Sequence, residues 1–563
     1  MKQRTVSAHA AGVHDRHAAR VGGLAVLVSL SSFFYYLQRG DILMHGDATA
    51  HINIARRVFD SLTPSPLALG TVWLPLPHLV MMPFLVSDKM WQSGIGGSIP
   101  SMIAYVLGVL GVFRLVGGLL ESDARTRSGA RFGAWVSAFA YGANPNLIYM
   151  QATALTETLA LAFFIWAIVY IAEFVRGIHE GNSVDGLAGR SLWQSLRRCA
   201  YCVACAEMTR YDGWFLAGAT GSIVIMIALR HWDERALRRM ALKFLMGIAV
   251  APVLWLGYNA AVYGNPLEFA TGPYSSKAIE LRVAAPNGAF HNPLVAGQEF
   301  LKAGQAILAV GNWGRFWLLA AVLATLLTFV TLRKKALAIL LLLWAPLAFY
   351  SYSIAFGWVP LHVPMWWPFA VFNIRFGLEL LPMFAVTAGL LVAAVTSLPG
   401  IKREWIGAAL MAALTVTSYA FVLKAQPLCW VEASRNWEMR RAMDTSVEQM
   451  LMELPPNSRI LMDLSEHVGA LERIGFPLRR VVNSENHRAW KRPSDPEGLW
   501  EKTLADPARY VNYVISFDGD AVDQNVNRTN LKLLTVIHAL GRPAARVFAT
   551  GNSATGNPVN QSR

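Results

Sequence analysis

The chain is short of charge. Acidic and basic residues together fill 15% of its 563 positions, where an ordinary soluble domain carries about a quarter, and 54% of positions are hydrophobic. That deficit excludes a plain soluble globule and points to a membrane protein. Cysteine is scarce too: there are four, three of them (Cys199, Cys202 and Cys205) in one apolar stretch. Such a set builds no disulfide framework, and a CxxC opening an apolar helix reads as small-residue packing rather than metal or redox chemistry. No nucleotide-binding glycine fingerprint is present, and no repeat of solenoid or inverted-transporter scale is visible. The apolar run at 21–37 lacks a small-residue cleavage site after it, so it reads as a retained anchor.

The charges that are present lean basic, 50 Lys and Arg against 36 Asp and Glu, a net +14. Nucleic-acid binders and membrane proteins both keep such an excess, and its placement separates them. About eleven apolar segments read as membrane spans: 21–37, 98–120, 131–150, 152–175, 199–209, 215–229, 244–263, 313–332, 336–356, 375–396 and 405–423, with 131–150 and 152–175 forming a hairpin whose turn is the breaker cluster Asn144-Pro145-Asn146. With 1–20 as a basic cytoplasmic tail, the inner linkers hold the basic clusters. These include Arg125, Arg127 and Arg131, then Arg190, Arg197 and Arg198, then Arg333-Lys334-Lys335 and Lys402-Arg403. The outer loops, of which 38–97 and 264–312 are the longest, hold few for their length. This is the positive-inside pattern, and it removes nucleic acid as a partner. From 425 onward the composition becomes that of a soluble domain. RILMD (459–463) and YVNYVISF (510–517) read as buried strands, SEHVGALERI (465–474) and NLKLLTVIHAL (530–540) as helices. The predicted fold is an α-helical polytopic membrane protein: a membrane domain over 21–424 and a small extracytoplasmic α/β domain over 425–563.

One outer stretch, 46–78, collects unusual residues: GDATAHINIARRVFDSLTPSPLALGTVWLPLPH. Helical spacing over 47–60 puts Asp47, His51, Ala55 and Val58 on one face, with Arg56 and Arg57 to the side. Asp47 carries two compatible readings, a helix N-cap and a base at the membrane surface that takes a proton from a hydroxyl. Glu157 sits one turn inside an apolar span, where an ionisable group is expensive and functional by default; the bland alternative is a buried polar contact. Arg210 and Asp212 flank Tyr211 at another outer edge, and either pair with each other, cap the next span or serve a substrate. Arg375 opens a span, as an interfacial anchor or as a phosphate ligand binding oxygens bidentately, with Glu379 four residues on to orient it. His51, His78 and His362 are weak candidates for a divalent metal. No HxxxH spacing supports them, so no metal or other cofactor is expected. Asp518-Gly519-Asp520 after a strand reads as a turn.

Taken together, these blocks resemble the GT-C membrane glycosyltransferases, and within them the protein O-mannosyltransferases and lipid A aminoarabinose transferases. The likeness rests on Asp47, the Ala55-Arg56 pair, TVWLPLPH (71–78), NPNLIYMQATALTETL with Glu157 at the second acidic position, MTRYDGW (208–214) and NIRFGLELLP (373–382). It spans 21–423. It implies a polyprenyl-phosphate-linked sugar as donor and a protein, lipid or glycan acceptor on the outer face of the inner membrane, with inversion at the anomeric carbon. Asp47 would be the base and Arg375 a donor-phosphate ligand. Glu157 and Arg210 would support the site, with Arg56, His78, Tyr211 and Asp212 as substrate-binding candidates.

Two departures stand out. Ala48 follows Asp47 where many relatives have Asp-Glu, and the WWDYG block of oligosaccharyltransferases is absent (Trp366-Trp367 leads to Pro368-Phe369), which disfavours en-bloc transfer to asparagine. Elementary chemistry agrees with the likeness. A lipid-borne donor enters from the bilayer, its phosphate leaving group suits an interfacial arginine, and the acceptor needs deprotonation. Two other classes compete. A lipid-linked-sugar flippase predicts mid-membrane charges and broken helices in paired halves, and a non-catalytic scaffold predicts that Asp47, Glu157 and Arg375 lie far apart.

Overall fold

The computed structural model describes residues 2–551, apart from 124–125, 182, 273–274, 284–287, 333, 358, 397–404, 487–497 and 540. Arg125, Arg333, Lys402, Arg403 and Leu540 of the sequence reading therefore lie outside the described residues. The chain forms two compact units. The first holds Met1–Arg39, Pro100–Trp255 and Pro273–Glu432; the second holds Gly40–Ile99, Leu256–Gly272 and Ala433–Arg563.

Among the described residues nine helical stretches are long and apolar enough to cross a membrane: Arg16–Arg39, Ile95–Glu121, Glu157–His179, Asp212–Arg230, Arg235–Tyr263, Trp313–Val330, Ala338–Phe356, Ile374–Val395 and Trp405–Glu453. Each exceeds the roughly 17 residues a tilted bilayer crossing needs. Two of the eleven predicted spans are not among these nine long apolar helices. The segment at 131–150 breaks into Ala130–Gly142 and Pro145–Met150, because Asn144 leaves the helical region and its side chain accepts from the backbone N–H groups of Asn146 and Leu147. The segment at 199–209 belongs to the helix Gly186–Glu207, whose Arg190, Arg197 and Arg198 leave no apolar window of spanning length. Its cysteines are free thiols, and Cys199 Sγ donates to the Ala167 carbonyl at 3.4 Å, a packing role.

Burial ranks the spans of the first unit. Ile374–Val395 is 89% buried and forms its centre, while Arg16–Arg39 is 22% buried and turns Leu24, Leu27, Phe34 and Tyr35 outward. Small residues make the central contact: a Cβ on Gly133 would lie 2.6 Å from the Gly389 carbonyl oxygen. With no hydrophobic drive between helices in lipid, such close approach supplies the packing energy.

The second unit joins the 40–99 segment to the C-terminal residues. The segment is helical over Gly46–Arg57, Leu76–Leu85 and Asp88–Gln92. Asn53 Nδ2 donates to Glu472 Oε2 at 2.6 Å, Asn436 Oδ1 accepts from Gly46 N at 2.8 Å, and Arg440 donates to the Met44 carbonyl at 3.0 Å. The C-terminal sheet comprises β1 (Ile460–Leu461), β2 (Val481–Val482), β3 (Tyr513–Phe517), β4 (Lys532–Ile537) and β5 (Ala545–Ala549) in the order β2-β1-β3-β5-β4. The first three strands in that order run parallel, and β3-β5-β4 antiparallel. Leu461, Val482, Trp500, Val514, Val522 and Phe548 share its core.

The strand over 510–517 and the helix over 465–474 are present as β3 and Val468–Ile474. RILMD contributes a ladder of only two residues. The helix expected over 530–540 is a correction: Lys532–Ile537 is strand β4. β4 is an edge strand with Leu533 and Leu534 both about half exposed, so neither of its faces is buried and no alternating pattern marks it in the sequence.

Candidate active site

In the first unit one buried cluster gathers most of the acids and arginines singled out above. Glu157 is the first residue of its helix, and Arg210 lies in the turn between Gly186–Glu207 and Asp212–Arg230. Arg375, Phe376 and Glu379 lie on the 3-10 helix Ile374–Leu380, which runs into Leu381–Thr396. That helix sits tightly on the backbone of Pro293–Leu308, since a Cβ on Gly377 would lie 2.6 Å from the Ala303 carbonyl carbon.

Glu157 Oε1 accepts from Arg375 Nε at 2.9 Å and from Arg210 Nη1 at 3.1 Å. Arg210 also donates from Nε to Asp212 Oδ2 at 3.3 Å, from Nη1 to Thr156 Oγ1 at 3.2 Å and from Nη2 to the Tyr350 hydroxyl at 2.9 Å, and its Nε lies 3.8 Å from Glu379 Oε1. Tyr350 in turn donates to Asp212 Oδ2 at 3.2 Å. Arg375 Nη1 reaches Glu432 Oε1 at 3.4 Å, and that oxygen also accepts from the backbone of Asn373, which holds a left-handed conformation (φ 52°). Both guanidiniums lie over the Phe376 ring, at 5.1 and 5.4 Å from its centroid. Burial works against the charge of Arg210, but Tyr350, Asp212, Glu157 and Glu379 outweigh it and hold the guanidinium charged.

Asp47, His51, Arg56 and His78 belong to the second unit. Asp47 occupies the first helical turn of Gly46–Arg57, half-buried; the cap is His45, whose Nδ1 accepts from the Asp47 backbone N–H at 3.2 Å. The helix dipole favours an ionised carboxylate there, and Asp47 supports the charge of Arg440. Arg56 is fully engaged. It donates to Asp60 at 3.0 Å, to the carbonyls of Leu85 and Val86 at 2.7 and 3.1 Å and to Asp88 at 2.5 Å, and it lies over Trp91. It thereby fastens Gly46–Arg57 to the helices that follow.

His78 is fully buried with Nε2 2.9 Å from His51 Nδ1, while its own Nδ1 makes no hydrogen bond. Burial first, then His51 and Arg57, push the His78 pKa well below the ordinary range. His51 and His78 belong to the second unit and His362 to the first. Among the described residues no group of three or more His, Cys, Asp or Glu side chains is arranged to hold a metal ion.

Tyr211 adjoins the cluster in sequence and packs edge-on against Trp214. Tyr350, Glu432 and Thr156 are cluster members the sequence reading passed over. Tyr350 is a hydroxyl inside an apolar span, and Glu432 is the first acid after the last apolar run. Either would have drawn notice as a lone polar group in apolar surroundings.

Long apolar helices with buried ion pairs at their ends mark an integral membrane protein. No model of a known protein family matches the chain, and no curated protein matches it in sequence. Among solved structures it is similar to ArnT from Cupriavidus metallidurans bound to undecaprenyl phosphate: 14% identity over 95% of this chain and 99% of that one, TM-score 0.52. It is also similar to the archaeal oligosaccharyltransferase AglB from Archaeoglobus fulgidus, in complex with an inhibitory peptide and a dolichol-phosphate, at 12% identity over 96% of this chain and 75% of AglB, TM-score 0.51. Both are GT-C membrane glycosyltransferases, and the likeness is one of fold.

Proposed function

We propose that this protein is an integral membrane glycosyltransferase that moves a sugar from a polyprenyl-phosphate donor to an acceptor on the outer face of the cell membrane. The observation that carries the reading is the fold match along nearly the whole of both chains to ArnT, a structure bound to undecaprenyl phosphate. The donor lipid enters from the bilayer. Asp47 accepts the proton of the acceptor hydroxyl or amine as that group attacks the anomeric carbon; the carbon–oxygen bond to phosphate breaks, and polyprenyl phosphate leaves with the bonding pair. Attack opposite the leaving group inverts the anomeric centre. Arg375 is the candidate for the donor phosphate, with Glu157 and Arg210 fixing its orientation. The N-terminus is cytoplasmic and the C-terminal domain extracytoplasmic, as the basic linkers imply.

The test is sugar transfer by the purified full chain from a panel of lipid-linked sugars, with donor binding measured in parallel. The expected result is turnover with one donor class, abolished in Asp47→Asn while donor binding persists. No turnover with any polyprenyl-phosphate sugar, or wild-type turnover in Asp47→Asn, would overturn the reading or the assigned base respectively.

A further inference from the structure

Beside the cluster in the first unit lies a small open cleft of about 30 Å³, room for one small polar group. Its walls come from Ala160, Phe164, Phe215, Leu216, Pro346 and Phe349, and its polar lining side chains are two carboxylates, Asp212 and Glu379. Glu379 is 4% exposed, and its Oε1 has no hydrogen-bond partner. Among the described residues the cation meeting these two acids is Arg210, which is shared with Glu157. Asp212 takes its contacts on Oδ2 alone. The cluster therefore holds two guanidiniums, Arg210 and Arg375, for four carboxyl groups, Glu157, Asp212, Glu379 and Glu432, and two of the four, Asp212 and Glu379, border the cleft. A buried carboxyl oxygen without a hydrogen-bond partner is unfavourable, so the cleft is set to accept a donor, and a cationic donor is attracted to both acids. Aromatic rings along its wall favour a cation as well, and the apolar lining suits a hydrocarbon body beside it.

We infer that this cleft is a subsite for a primary ammonium group carried on a hydrocarbon body, the ammonium donating to Glu379 and Asp212. Two sources share that chemistry: the headgroup of a bilayer aminophospholipid and a free alkylamine. The inference stands apart from the glycosyl-transfer reading, since binding is measured without turnover.

The experiment uses the purified full chain in neutral detergent, titrated with dodecylammonium and with dodecanol. Wild type is expected to bind the ammonium at least about tenfold more tightly, and Glu379→Gln and Asp212→Asn are expected to shrink that preference while binding dodecanol unchanged. Ala160→Trp, which fills the cleft and leaves both acids in place, is expected to abolish binding of both probes. Equal affinity of wild type for the two probes overturns the inference, as does ammonium binding that survives Ala160→Trp. Mass spectrometry of the intact protein from phosphatidylethanolamine and phosphatidylglycerol nanodiscs then separates the sources. Retained phosphatidylethanolamine displaced by dodecylammonium assigns the site to the membrane lipid; dodecylammonium binding with no retained lipid assigns it to a free amine.

Discussion

Arg375 and Glu157 stand 218 positions apart in the chain and meet at 2.9 Å, Nε to Oε1. The same oxygen takes a second guanidinium, that of Arg210, at 3.1 Å. Glu157 is 1% exposed, so neither contact is screened by water, and the two arginines are held as one unit through a single carboxylate. Glu157 is thus the common acceptor of two arginines that both lie over the Phe376 ring.

Removing that charge should be costly. Glu157→Gln keeps the shape and leaves Arg210 and Arg375 without their shared anion, and breaking a buried pair in this way costs about 3–5 kcal/mol. The expected outcome is a marked fall in thermal stability of the detergent-solubilised protein. Asp212→Asn should cost less, because Asp212 is more exposed than Glu157. Equal stability of Glu157→Gln and wild type by scanning fluorimetry would exclude the bridging role.

Arg375→Lys separates charge from geometry. A lysine keeps the positive charge but lacks the planar fork that reaches Glu157 and Glu432 together. Sugar transfer is expected to drop by at least about tenfold, the equivalent of one lost charge-assisted hydrogen bond, with membrane insertion unchanged. Transfer at the wild-type rate would show that a point charge suffices.

Glu472 should set an alkaline limit on the contact between the 40–99 segment and the C-terminal domain. Burial raises its carboxyl to about 8, and its Oε2 accepts from Asn53. The folded state therefore binds a proton that the unfolded chain, with an ordinary carboxyl near 4.5, has already lost. Stability falls as pH rises between those values, by at most about 1.4 kcal/mol per pH unit. Limited proteolysis within 40–99 should accelerate over that window, and Glu472→Gln should flatten the profile. A pH-independent wild type would contradict this.

The His51–His78 pair should set the acid limit of the same unit. The folded pKa of His78 is depressed, so the unfolded chain binds more protons once pH drops below about 6.5. Stability is therefore present above that value and lost as pH falls. The acid arm of the proteolysis profile should disappear in His78→Leu, which removes the titrating group from its buried site. Its persistence there would assign the acid arm to another residue.

Much of this molecule is legible in its sequence. Apolar length marks most of the spans, and isolated charges at their ends mark Glu157, Arg210 and Arg375. The breaker cluster Asn144-Pro145-Asn146 marks the break at which Asn144 caps a new helix. The failures are specific. Residues 530–540 read as helix because an edge strand exposed on both faces carries no alternating pattern. Arg56 reads as a substrate ligand from its motif, whereas its partners are Asp60, Asp88 and two backbone carbonyls.

The sequence by itself determined that this is a membrane protein, roughly where it crosses, and which charged residues carry a burden. Those properties are sums over neighbouring residues, and the bilayer penalises each misplaced charge where it stands. Only the tertiary structure decided who partners whom. It placed Arg375 between Glu157 and Glu432, bound Asn53 to Glu472, and left Asp212 and Glu379 with one shared guanidinium beside an apolar cleft. Such pairings depend on helix packing at ångström scale between segments hundreds of residues apart, and no local pattern in the chain encodes that distance.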